Sequence, residues 1–146
     1  MKRLVIAFAC ASITALGAQA DGHDVFGTWV TEAGTSHVEI ADCGDGTPCG
    51  TVAWIDATAL EPGVTPETAV DDNGDKVLGL KMLYGFSKKK KDWRSGKIYD
   101  PEGGKTYGAQ LKLQDDGTLR LKGCLGPFCQ TQIWQRAAAP RPATES

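Results

Sequence analysis

Five groups of residues in this chain have the types and spacing to do chemistry. His37 and Glu39, in Ser36-His37-Val38-Glu39, are two residues apart and would share one face of an extended strand. That is the arrangement of an acid–base pair, but no nucleophile stands out to be activated: Ser87 and Ser95 lie beside charged loop residues. A solvated histidine on a strand face explains the same residues. Asp71-Asp72-Asn73-Gly74-Asp75 offers the oxygen ligands calcium takes, yet the position where a helix–loop–helix site needs a bidentate glutamate is Leu80. An Asn-Gly turn in an acidic loop accounts for it equally well. Lys88-Lys89-Lys90-Lys91, followed by Asp92-Trp93-Arg94, reads either as a solvated hairpin loop or as a contact for anionic lipid head groups with Trp93 at the interface. Trp54, Leu80, Met82, Tyr84, Tyr99 and Tyr107 could line a pocket for a small apolar ligand, or simply fill a core. Finally, Asp21-Gly22-His23 becomes a copper chelate if the chain is cut before Asp21. A free amine, two deprotonated backbone nitrogens and an imidazole can wrap Cu(II) in one plane.

That cut is expected. Lys2 and Arg3 form a positive start, Leu4 to Leu16 is apolar but for Ser12 and Thr14, and Ala18-Gln19-Ala20 supplies small residues for cleavage. Residues 1–20 therefore read as a signal peptide, addressing the protein to the periplasm or the exterior and leaving no transmembrane segment after processing. Cys10 lies inside that leader. The other cysteines, Cys43, Cys49, Cys124 and Cys129, allow three pairings. Cys43 with Cys49 and Cys124 with Cys129 are local pairs around segments that hold Gly and Pro and can turn tightly. A four-thiolate zinc site is the competitor, but the Cys43–Cys49 gap is wider than the usual two to four residues and the Cys124–Cys129 gap is at its upper end, and an oxidising compartment favours disulfides.

Composition excludes several classes. The chain has 146 residues, and without Lys2 and Arg3 it holds 14 basic against 18 acidic side chains, a poor footprint for nucleic acid. Its hydrophobic residues, 41 % of the total, fall in short runs, which argues against a membrane bundle or a coiled coil. Those runs alternate with period two. Strands are predicted over 26–31, 36–41, 50–55, 80–86, 96–100, 107–113, 118–125 and 131–136. Val52 and Trp54 are expected on one face of the third. Residues 57–76 read as a long loop with one helical turn near Pro66-Glu67-Thr68-Ala69, and Asp115-Asp116-Gly117 as a hairpin turn. One domain is expected over 21–136, with 137–146 a disordered tail. Eight short antiparallel strands in an all-β chain make a small barrel or a sandwich, and closure removes exposed edges.

Gly27-Thr28-Trp29, Cys43 to Cys49-Gly50, Leu78-Gly79-Leu80, Trp93, Gly96-Lys97-Ile98-Tyr99-Asp100-Pro101, Gly104-Lys105-Thr106-Tyr107 and Thr131-Gln132-Ile133-Trp134-Gln135-Arg136 follow one another in an order that resembles the domain of unknown function 2147, a family of small exported bacterial proteins. The sequence departs from that pattern at Asn73-Gly74-Asp75 and in its lysine run. A looser resemblance is to lipocalin-like barrels, which open on a Gly-x-Trp strand and lay an arginine from the last strand over that tryptophan. Trp29 and Arg136 match in type and order; the plain alternative is one core aromatic and one solvated arginine. The resemblance implies an eight-stranded lipocalin-like barrel stapled by two local disulfides. With no nucleophile, metal cluster or phosphate loop in view, the expected function is non-enzymatic binding of an apolar or amphipathic small molecule, with no cofactor. The alternative is a structural or interaction protein of the cell envelope whose core is filled.

Overall fold

The computed structural model describes residues 20–138. The expected signal peptide and tail lie outside the described residues, except for Ala20, Ala137 and Ala138. The strands are β1 (Gly27–Val30), β2 (Ser36–Asp42), β3 (Pro48–Ile55), β4 (Lys81–Tyr84), β5 (Ser87–Lys88), β6 (Trp93–Asp100), β7 (Lys105–Leu113), β8 (Leu119–Leu125) and β9 (Phe128–Arg136). All pairings between them are antiparallel, and the ring runs β1-β2-β3-β4-β6-β7-β8-β9 and back to β1. The eight-stranded barrel is therefore closed, with β5 a two-residue strand on the edge of β6. The seam between β1 and β9 is short, Trp29 opposite Arg136 and Val30 opposite Gln135. It is lengthened by the Ala137 amide donating to Thr28 O (2.9 Å) and the Ile133 amide donating to the Glu32 carboxylate (2.8 Å). Pairing thus reaches Ala137, one residue into the stretch expected to be disordered.

Alternation puts Leu111 and Leu113 of β7, and Leu119 and Leu121 of β8, inside the barrel, as their spacing requires. Two bulges overturn the same inference elsewhere. Opposite β2, His37 pairs with Trp54 and Val38 with Val52, so Ala53 is an extra residue. Side-chain direction flips across it: Val52 and Ile55 point in, and Trp54 is turned out. Opposite β3, Gly50 pairs with Leu83 and Thr51 with Lys81, which leaves Met82 unpaired, so that Met82 and Leu83 are both buried and Tyr84 faces outward. Gly50 makes room for this packing, since a Cβ there would lie 2.8 Å from Leu83 Cδ1.

One end of the barrel is plugged by the segment before β1. Val25 is fully buried and its carbonyl accepts the Trp29 indole N–H (2.9 Å). The His23 carbonyl accepts the Trp93 N–H (2.9 Å), and the Gly22 carbonyl accepts the Leu113 amide (3.0 Å). Arg136 completes this end: its guanidinium lies 4.3 Å from the Trp29 ring centre and donates to Phe26 O (3.1 Å). Gly27 is required beside it, with φ +127° and space for no Cβ, which would stand 2.4 Å from Arg136 Nη1. Two disulfides, Cys43–Cys49 and Cys124–Cys129, staple the β2–β3 and β8–β9 hairpins, with Cα separations of 5.1 and 4.0 Å.

Candidate ligand site at the open end of the barrel

The opposite end is hollow. The connections β1–β2, β3–β4, β6–β7 and β8–β9 surround a cavity of about 1460 Å³. Its walls inside the barrel are Val52, Ile55, Met82, Ile98, Leu121 and Trp134, apolar residues that point inward from five strands. Tyr99 and Tyr107 also line it, Tyr107 directly opposite Ile98, and Gly123 leaves a gap between Leu121 and Leu125. The rim carries Leu125, Phe128, Val64 and Val70, all exposed, with Phe128 at 80 %. Among the described residues, every charged side chain lining the cavity is acidic: Glu32, Glu61, Asp72, Asp100 and Glu102.

The long connection between β3 and β4 builds half of this mouth. The Asp56 carboxylate accepts the Thr58 amide (2.9 Å) and hydroxyl (2.8 Å), capping a short 3-10 turn at Ala57–Ala59. A single helical turn follows, closed by the Ala69 amide donating to Thr65 O (2.9 Å). Asp71 then fixes the acidic segment. One of its oxygens accepts the amides of Asn73 and Asp75 (both 2.9 Å), while the other accepts the Tyr99 hydroxyl (2.8 Å). Asp71 is 7 % exposed. Burial pushes its carboxyl up, but the bonds from Tyr99 and from the amides of Asp75, Asn73 and Gly74 together outweigh burial and hold it below the ordinary carboxylate value. Its hydrogen bond, then burial, then the charges of Asp71, Asp72 and Asp75 hold the Tyr99 phenol above its usual value. The segment is thus a turn pinned to the barrel wall. Among the described residues no group of three or more His, Cys, Asp or Glu is placed to hold a metal.

Of the six residues singled out for a pocket, Met82, Tyr99 and Tyr107 line the cavity. Leu80 packs, half-buried, against the core. Trp54 and Tyr84 are on the outside, and Trp54 stacks on His37 with ring centres 4.5 Å apart. Ile98, Leu121, Gly123 and Trp134 were legible as inward positions by alternation on their strands; the acidic rim was not, because it comes from loops distant in sequence.

The remaining candidates settle elsewhere. Trp93 is 4 % exposed with its N–H used inside, so it is a core residue and not an interfacial one; Lys88 ends β5 and Lys89, Lys90 and Lys91 lie in the loop between β5 and β6. Asp21-Gly22-His23 is held against the plugged end. His23 Nε2 lies 2.6 Å from Lys89 O and Nδ1 lies 2.8 Å from the Asp21 carboxylate. Plugging the barrel anchors this segment.

No helix among the described residues is long and apolar enough to cross a membrane. The solved structure of protein HP1028 from the human pathogen Helicobacter pylori, described as belonging to the lipocalin family, is similar in fold, with a TM-score of 0.57 and 19 % identity over 83 % of this chain and 85 % of that one. No curated protein matches the sequence. The family model for an uncharacterized protein conserved in bacteria, DUF2147, matches residues 27–136, and the chain belongs to that family.

Proposed function

We propose that this protein is exported to the periplasm or beyond and there binds a small apolar or amphipathic molecule, without catalysing a reaction on it. The observation that carries this reading is the half-filled barrel: one end is plugged by residues 22–25 and Trp29, while the other opens on about 1460 Å³ walled by apolar side chains. Ligand pockets of small-molecule carriers have this form, concave and mostly apolar with a few polar groups at set positions. The lipocalin-like fold and the two disulfides agree with carriage in an oxidising compartment. Tyr99 and Tyr107 are the polar groups that would orient a ligand against the wall.

Native mass spectrometry of protein recovered from its own compartment should show an adduct of lipid size, and a neutral apolar fluorophore should bind with a blue-shifted emission. A clean apo mass together with no fluorophore binding would leave the envelope-structural role, with the cavity an unfilled mouth.

A further inference from the structure

We propose that the ligand's polar head is cationic, so that the cavity selects amphiphiles bearing an ammonium or similar group over those ending in a carboxylate or sulfate. This rests on the cavity being the binding site; the acids are not themselves the site, but set the sign of the charge it accepts. Glu32, Glu61, Asp72, Asp100 and Glu102 line the mouth, and among the described residues no lysine, arginine or histidine lines any part of it. None of the five is in a salt bridge; the described residues contain only the pairs His23–Asp21 and Arg94–Asp92. Glu32 and Asp100 do accept backbone amides, from Ile133 (2.8 Å) and Glu102 (3.0 Å), which fixes those two carboxylates at the rim.

The deep wall makes the same distinction for a different reason. An anionic head drawn into the barrel would need a cation, and the arginine of the barrel's end, Arg136, is at the plugged end, committed to Trp29 and Phe26. A carboxylate buried without a partner is strongly disfavoured. A cationic head left at the mouth instead meets carboxylates, and low-dielectric walls focus their field. An apolar tail would occupy the space between Val52, Met82, Ile98 and Leu121.

The test is displacement of a neutral probe, N-phenyl-1-naphthylamine, by two surfactants of equal chain length used below micelle formation: dodecyltrimethylammonium and dodecyl sulfate. At low ionic strength the cation should displace the probe at a concentration lower by about tenfold or more. The ratio should fall several-fold in Glu61→Gln/Asp72→Asn/Glu102→Gln, which removes three rim charges and spares the two that accept amides, with the probe's own affinity unchanged. Glu39→Gln/Asp115→Asn, off the mouth, should keep the parent ratio. Equal or better displacement by dodecyl sulfate, or a ratio the triple variant does not move, overturns the charge selection while leaving the cavity reading standing. Failure of the neutral probe to bind overturns the cavity reading and this inference with it.

Discussion

Gly123 offers a direct way to ask whether the cavity is where a ligand sits. It lies on β8 between Leu121 and Leu125, and all three line the space. A Cβ at this position would be 3.7 Å from Ile98 Cγ2 and 3.9 Å from Tyr107 Cβ, which is ordinary van der Waals contact. Gly123→Leu therefore puts a side chain into empty volume with no strain on the strand, and loss of glycine's unfolded-state freedom favours the fold. Its four carbons take the place of about four methylene groups of a bound tail. At about 0.8 kcal/mol for each, the ligand loses about 3 kcal/mol, or roughly two orders of magnitude in Kd. The assay is titration with the neutral fluorophore alongside thermal unfolding. Gly108→Ala is the control, placed on the outer face of β7, where a Cβ would meet Cys124 O at 3.7 Å. A Gly123→Leu protein with the parent's Tm and the parent's affinity would show that the probe binds outside this cavity.

Arg136→Ala removes the guanidinium 4.3 Å from the Trp29 ring and its bond to Phe26 O; together about 1–2 kcal/mol is lost, so Tm should fall by several degrees, against no change for the exposed Lys97→Ala. A drop equal to the control's would mean the stack contributes nothing. Asp71, held below its ordinary value of 3.8, anchors the mouth loop above that pH and releases it as pH falls through the lowered folded value. Tyr99, raised above 10.0, keeps its side of the bond until pH rises through the raised folded value. Amide exchange over residues 56–80 should therefore stay slow between about pH 4 and 10 after correction for intrinsic rates, and should quicken at neutral pH in Tyr99→Phe; equal protection in that variant would sink the anchor. Protein whose chain starts at Asp21 should bind one equivalent of Cu(II) with the visible band of a planar four-nitrogen site, and because His23 Nδ1 must first leave the Asp21 carboxylate 2.8 Å away, Asp21→Ala should bind at least as well while His23→Ala should not bind; a band that persists in His23→Ala places the copper elsewhere.

Much of the barrel was legible in one dimension. Leu111 with Leu113 and Leu119 with Leu121 repeat every second residue around Asp115-Asp116-Gly117, and a hairpin is the compact way to bury both rows. The cysteine pairs enclose glycines and prolines, so their short loops could close without help from the rest of the fold. Trp29 and Arg136 stand at the two ends of the domain and meet because closing an antiparallel ring brings the first strand beside the last. What escaped the sequence depends on neighbours it does not display. A bulge is an extra residue relative to a partner strand, so nothing within Thr51-Val52-Ala53-Trp54 announces that Trp54 will turn outward, nor within Lys81-Met82-Leu83-Tyr84 that Tyr84 will follow it. Asp71 acquires its role only when the loop folds back to Tyr99, 28 residues on. The half-filled interior is likewise tertiary: segment 22–25 enters one end and no described segment enters the other, and alternation gives inward residues the same signature whether they meet a plug or a void.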